Sequence, residues 1–391
     1  MKTLEEISPM LEERIPSSFK FEVLHTSKKS SARVGRIHTP HGIIDTPNFV
    51  VVGTNGTLKA VDNAMVNELG VQLMFCNTYH LMLQPGTEVV RKAGGLHKFI
   101  NRPFPIITDS GGFQVFSLAY GSVASELKGK GTKKTDGGVL KITEEGVLFR
   151  SYRDGAKILL TPETSIQAQK DLGADIIIPF DELPPYHIEK SKLIDSLHRT
   201  HRWEKRSLMT HLENPNGQAM YAVIHGGIDL ELRKLSIATL GALPFDGFAI
   251  GGSVGKTKPE MMELLTYTME HLPKDRPNHL LGIGDLWSID QCVPLGFDTF
   301  DSSYPTKSAR HGIAFTKRGP VNVTKGIYKE DFSPICKECT CPTCKNFSLA
   351  YVHHLMKAHE APGMTLTSIH NIHYMVELMK SYREKILQNE L

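Results

Sequence analysis

The 391-residue chain lacks any apolar run approaching the ~20 residues of a membrane span, so a transmembrane helix is not expected. The first 25 residues (MKTLEEISPMLEERIPSSFKFEVLH) mix acids, prolines and polar side chains and have no apolar centre of a secretory signal. An excess of charge of one sign is also missing. The 45 Lys+Arg against 42 Asp+Glu leave +3, too little to mark a nucleic-acid binder, so any RNA contact must come from a local patch. Cysteine is sparse at six, and four of the six fall between positions 336 and 344. That crowding argues against a disulfide framework and for metal binding in a reducing, cytoplasmic compartment.

Polar alternation is the next absence, and it decides the fold class. Mainly apolar runs recur at 48–52 (NFVVV), 71–76 (VQLMFC), 104–109 (FPIITD), 174–181 (ADIIIPFD), 219–225 (AMYAVIH), 245–252 (FDGFAIGG), 279–285 (HLLGIGD) and 297–301 (FDTFD). Runs without alternation read as strands buried on both faces. Helix-like stretches lie between most of them, at 164–172, 188–214, 230–242 and 259–271. Alternation of strand and helix implies a parallel sheet, and eight such runs predict an α/β fold closed as an irregular (β/α)8 TIM barrel. Residues 1–18 form a lead-in, and from 19 to 46 shorter alternating segments predict small antiparallel strands. Two stretches break the rhythm within the 19–391 domain: a polar hairpin insertion at 117–157 and a metal-held subdomain at about 316–375.

The cysteine pattern is Cys336-x2-Cys339-x-Cys341-x2-Cys344, followed by His353, His354, His359, His370 and His373. Thiolates at this spacing can wrap one tetrahedral zinc. All four cysteines, or three with a histidine, would satisfy it, and such a zinc is expected to be structural, closing the subdomain.

In such a barrel, functional groups sit where strands end on the carboxyl side. Those ends present Asp109, Asp181 with Glu182, His225, the Gly251-Gly252 pair, Asp285 and Asp301. Taken singly, each acid suits capping of the helix that follows. Together they suit displacement at a sugar carbon, or an oxygen-ligated cation. The GGSVGKT stretch at 251–257 is not a phosphate-binding P-loop, because the first glycine of that motif would have to stand at Ile250.

The stretches TDSGGFQV (108–115), Phe180-Asp181-Glu182, Phe300-Asp301 with Pro305-Thr306, and the cysteine knuckle with His370-Asn371-Ile372 resemble bacterial-type tRNA-guanine transglycosylases, in order from about residue 19 to the C-terminus. That resemblance implies exchange of the wobble guanine in tRNAs with a G-U-N anticodon for a 7-deazaguanine base, preQ1 or queuine. It also implies roles for named residues. Asp301 would be the nucleophile on ribose C1′ and Asp109 the general acid/base. Asp181, Gly252 and His225 would bind the base between Phe113 and Leu281. Lys307 and Arg310 would hold anticodon phosphates. Cys339, Cys341, Cys344 and His370 would bind zinc, leaving Cys336 spare. A homodimer would use Phe347, Tyr351, His354 and Phe99.

Three positions depart from the family pattern. His225 stands where a glutamine is usual, Leu183 replaces a cysteine, and the 251–255 loop is one residue short. All three fall where the 7-substituent or Hoogsteen edge should rest, which predicts a pocket for the bulkier queuine. The insertion lysines Lys128, Lys130, Lys133 and Lys134 could track tRNA phosphates. Two competing readings are an inactive partner subunit, opposed by retention of Asp109 and Asp301, and a zinc-stabilised barrel glycosidase.

Overall fold

In the computed structural model, which describes residues 19–120 and 138–391, an antiparallel sheet comes first: β1 (Lys20–Thr26), β2 (Arg33–Thr39) and β3 (Gly42–Thr46). The lead-in at 1–18 and the four insertion lysines lie outside the described residues. Next come the barrel strands β4 (Asn48–Val52), β5 (Met74–Cys76) and β6 (Ile106–Thr108). The described part of the 117–157 interruption belongs to a separate antiparallel sheet of β7 (Val139–Ile142), β8 (Val147–Arg150) and β9 (Lys157–Leu160). It is three strands where a hairpin was expected, because the run KILL pairs back along β8. The barrel resumes with β10 (Ile176–Ile177), β11 (Ala219–Ile224), β12 (Gly247–Ile250), β13 (Asn278–Leu280) and β14 (Thr299–Ser302).

All eight barrel strands pair in parallel, in the order β10-β11-β12-β13-β14-β4-β5-β6, and β6 returns to β10. The missing alternation is explained by two cores. Along β11, Tyr221 and Val223 join Phe75, Ile107 and Ala249 inside the barrel. Met220, Ala222 and Ile224 face the surrounding helices instead. Both faces of each strand are therefore dry, as a parallel barrel requires.

Helix boundaries follow local chemistry. The helix Pro162–Leu172 starts with a reciprocal cap, Thr161 N–H donating to Thr164 Oγ1 at 2.8 Å and Thr164 N–H to Thr161 Oγ1 at 3.2 Å. It stops at Gly173, whose φ of 71° a side chain would resist. Strand β10 is two residues long although its apolar run covers 174–181. Pro179 has no N–H for a ladder, and Asp175 turns its carboxylate to the Ile106 N–H at 2.8 Å.

The N-terminal sheet covers the barrel end opposite the strand tips, with Ile37 and Ile44 fully buried among the interior residues Val50, Ile107 and Ile176. Arg33 reaches Asp298 there with two bonds of 2.6 and 3.0 Å, and both side chains are buried. Removing one partner of such a pair costs about 3–5 kcal/mol. At the C-terminus, β15 (Ile313–Ala314) and β16 (Val321–Asn322) lead into the helices Pro342–Asn346, Leu349–Lys357 and Ala361–Leu387. The last packs on the helix Tyr304–Arg310 and on β4, closing the outer layer of the barrel. Among the described residues, no helix is long and apolar enough to cross a membrane.

Candidate active site and metal centre

Three carboxylates come to the C-terminal mouth of the barrel and line one cavity of about 500 Å³. Asp301 stands on β14, and its Oδ1 accepts from the Gly282 N–H at 2.7 Å and from His279 Nε2 at 3.1 Å. Among the described residues its Oδ2 takes no bond. Asp109 follows β6 and is gripped on both oxygens. Asn77 Nδ2 and Gln114 Nε2 donate to Oδ2 at 2.6 and 2.7 Å, and the Thr78 N–H donates to Oδ1 at 2.8 Å. Burial pushes its carboxyl up to about 6, against the opposing pull of those donors. Asp181 accepts from Ser110 Oγ at 3.0 Å on Oδ1 and from His225 Nε2 at 2.7 Å on Oδ2.

Glycines permit the close approach of these loops. A Cβ on Gly112 would stand 2.8 Å from the Asp181 carbonyl oxygen, so only glycine lets the 110–112 turn meet the β10 loop. Gly252 has φ +76°, and a Cβ there would lie 2.9 Å from His225 Nδ1. Arg233, fully buried, ties the loops beside it together by donating to the carbonyls of Ile224, Gly227 and Ser253 at 2.8–3.0 Å. Burial lowers its pKa to about 9, still well above neutrality, so it stays a cation.

The cavity also takes in Phe113, Leu281, Gly252 and Leu183. His225 lines a neighbouring cavity of about 350 Å³, which shares Pro184, Tyr186, Gly252 and Ser253 with the first. Lys307 is exposed and Arg310 half-buried on the helix after Asp301, and neither lines the cavity. Asp285 does what an isolated strand-end acid commonly does: it caps the helix Leu286–Cys292, accepting from Ser288 N–H at 3.2 Å and Ser288 Oγ at 2.5 Å. Glu182 is bound to Arg199 at 2.6 Å.

Away from the mouth, Cys339, Cys341, Cys344 and His370 bring four ligand atoms within 4.8 Å of one another. His370 Nε2 donates to the Phe315 carbonyl at 2.7 Å, which leaves Nδ1 as the free lone pair, and Nδ1 is the atom facing the three sulfurs at 3.3–3.6 Å. Three thiols and an oriented imidazole suit a tetrahedral metal ion. Of the two readings open from spacing, the three-cysteine set is the one assembled. Cys336 sits apart, its thiol 3.2 Å from the Glu338 carboxylate. A second group, His41 and His97 on Asp175, is of another kind. Its rings stack at 3.5 Å with planes 10° apart, so their in-plane lone pairs run side by side and do not converge on one ion.

A family profile described as queuine tRNA-ribosyltransferase matches residues 27–391. The queuine tRNA-ribosyltransferase of Protochlamydia amoebophila is 70% identical over 371 residues, covering 95% of this chain and 96% of that protein. Those of Chlamydia felis and Chlamydia trachomatis serovar L2 are 58% and 53% identical over 375 residues, covering 96% of this chain and 100% of each relative. The chain belongs to the queuine tRNA-ribosyltransferase family.

Within this family member, six residues singled out from sequence (Asp109, Phe113, Asp181, Gly252, Leu281 and Asp301) share one cavity. The residues that hold the acids were not singled out: Asn77, Thr78 and Gln114 for Asp109, Ser110 for Asp181, His279 and Gly282 for Asp301. Gln114 and Ser110 lay inside the TDSGGFQV stretch without a role. His279 carried a weak signal, a polar ring in an otherwise apolar run that proves fully buried.

Proposed function

We propose that this member of the queuine tRNA-ribosyltransferase family exchanges the wobble guanine of tRNAs with a G-U-N anticodon for a 7-deazaguanine base through a ribosyl-enzyme intermediate, in the cytoplasm. The observation that carries this reading is the meeting of Asp301, Asp109 and Asp181 in one cavity, each held by different donors. Asp301 Oδ2 attacks C1′ of the ribose, the bond from C1′ to the purine N9 breaks, and its electron pair leaves with the purine. Protonated Asp109 supplies the proton that neutralises the departing base. The incoming base then gives its N9 proton to Asp109, N9 attacks C1′, and the carboxylate of Asp301 leaves. Two displacements retain the anomeric configuration. Asp181 accepts from the pyrimidine edge of the base, Gly252 offers its backbone N–H to the base oxygen, and Phe113 and Leu281 flank the ring. The target nucleotide must be splayed out of the anticodon loop to reach them. Lys307 and Arg310 then hold its neighbouring phosphates.

For the incoming base we favour queuine over preQ1. His225 spends Nε2 on Asp181, and the second cavity opens beyond Gly252 and Ser253, where a 7-substituent would project. In a competition assay with guanine-labelled tRNA, queuine should displace label at a concentration lower by about tenfold or more than preQ1, a difference of ~1.4 kcal/mol. Uptake of preQ1 with none of queuine would dismiss this preference.

The Cys339, Cys341, Cys344 and His370 set would hold one structural zinc. Asn371, next to His370, accepts from the Phe315 N–H at 2.9 Å and donates to the Pro305 and Ile313 carbonyls at 3.0 and 2.8 Å. A folded cluster therefore braces the helix that follows Asp301. In elemental analysis Cys341→Ala should lack the roughly one zinc per chain expected of the unmodified protein, and it should melt at a lower temperature, whereas Cys336→Ala should keep both values. Equal metal content in the two variants would contradict the ligand set. A homodimer is also part of this reading, because Phe347 and Tyr351 stack at 5.6 Å on an exposed surface, with His354 beside them and Phe99 exposed on its own short helix.

A further inference from the structure

We infer that His279 is a positioning residue for Asp301, acting with Thr299 to determine which carboxylate oxygen attacks and to steady the same carboxylate when it departs; this rests on Asp301 being the nucleophile. His279 lies on β13, in register with Thr299 of β14. Thr299 and Asp301 are two apart on one strand, so their side chains share the inner face. The His279 ring spans them, Nδ1 at 2.8 Å from Thr299 Oγ1 and Nε2 at 3.1 Å from Asp301 Oδ1. Its plane lies 19° from that of Phe75 at 6.0 Å, and none of the ring is exposed. Thr299 Oγ1 is also 3.1 Å from the Asn278 carbonyl, so its hydroxyl proton can turn between that oxygen and Nδ1. A carboxylate can only accept, so Nε2 carries the proton in this contact.

The consequence is an asymmetric carboxylate. Oδ1 is occupied by two N–H donors, from His279 and Gly282, and Oδ2 is left for the ribose. In the ester, Oδ2 is bonded to C1′ and Oδ1 is the carbonyl oxygen, still facing both donors. When the incoming base displaces the ester, the electron pair of the C1′–Oδ2 bond returns to the carboxylate, and negative charge grows on an oxygen already hydrogen-bonded. The donors therefore assist departure more than attack. Their loss slows discharge of the intermediate most.

The test measures kcat, the KM for tRNA, and single-turnover rates of ribosyl-enzyme formation and discharge. His279→Met fills the site without a donor and should lower kcat by roughly 10- to 100-fold, the range for losing one hydrogen bond to a carboxylate, with the discharge step slowed most. The KM for tRNA should stay within about twofold, because no tRNA contact is removed. His279→Gln, which can still present an N–H to Oδ1, should recover most of the rate. Thr299→Val should lower kcat several-fold in the wild-type background and have no effect beside His279→Gln, where no ring links the two positions. Equal loss in the Met and Gln variants, or equal effects of Thr299→Val in both backgrounds, would reduce His279 to a packing residue and overturn the inference. The double comparison decides the matter even if the methionine variant fails to fold. If Asp301→Asn stays active, the reading of the nucleophile is what fails; if that variant is dead while His279→Met turns over normally, only the positioning role does.

Discussion

Asp301→Asn should leave no protein band shifted by covalently attached tRNA on a denaturing gel, and base exchange should fall on the order of 10⁴-fold or more, the scale seen when a nucleophile is removed outright. The substitution is close to isosteric. Its amide oxygen can still accept from the Gly282 N–H, which donates to Oδ1 at 2.7 Å, so the loop around the site has no cause to move. What disappears is the oxygen that bears charge. An amide nitrogen at the Oδ2 position has its lone pair delocalised into the carbonyl and does not attack a ribose carbon. Binding of tRNA in a native gel should persist, which separates loss of chemistry from loss of recognition. Exchange that survives, in protein shown by mass spectrometry not to have deamidated, would remove Asp301 from the mechanism.

Asp109→Asn should cost about 10²- to 10⁴-fold, the usual contribution of a positioned acid or base. Here the pH dependence is informative because burial raises Asp109 to about 6. Below that value the group carries the proton that a departing purine needs. Above it, the carboxylate is present to take the N9 proton of an incoming base. Ribosyl-enzyme formation should therefore slow as pH rises through about 6, while discharge by added base should quicken over the same range. The asparagine variant should show neither limb. It also meets a structural penalty. Asn77 and Gln114 both donate to Oδ2, and an NH2 group placed there would face donors with donors. Rates should be compared at equal folded fraction, followed by thermal melting at each pH. Unchanged limbs in the asparagine variant would assign the proton transfers to another group.

Much of the barrel was legible because its cause is local. The run AMYAVI is apolar at every position, and a strand with both faces dry has no other way to be buried. The cap at Thr161 and the stop at Gly173 are likewise written in neighbouring residues. Expected helix ends at 164–172 and 188–214 differ from the observed Pro162–Leu172 and Lys190–Glu213 by two residues or fewer, and for the first of these helices capping chemistry sets the ends. Strand lengths were less legible. Ladder pairing in β10 depends on what β6 and β11 can offer across the sheet, and Asp175 spends its carboxylate on stabilising that edge.

The sequence by itself determined that eight dry strands would close a barrel, that acids would emerge at several strand ends, and that clustered thiols would seek a metal, because burial, capping and ligand spacing act over a few residues. Only the tertiary structure decided which acids meet. Asp109, Asp181 and Asp301 converge, while Asp285 turns aside to cap a helix and Glu182 pairs with Arg199. It also assembled His370 with Cys339, Cys341 and Cys344, the set that the family resemblance implies and that spacing alone left open, and it placed His225 against Asp181. The physical reason is reach: a hydrogen bond or a metal ligand must come within about 3 Å, and residues tens of positions apart share that distance only after the barrel has closed.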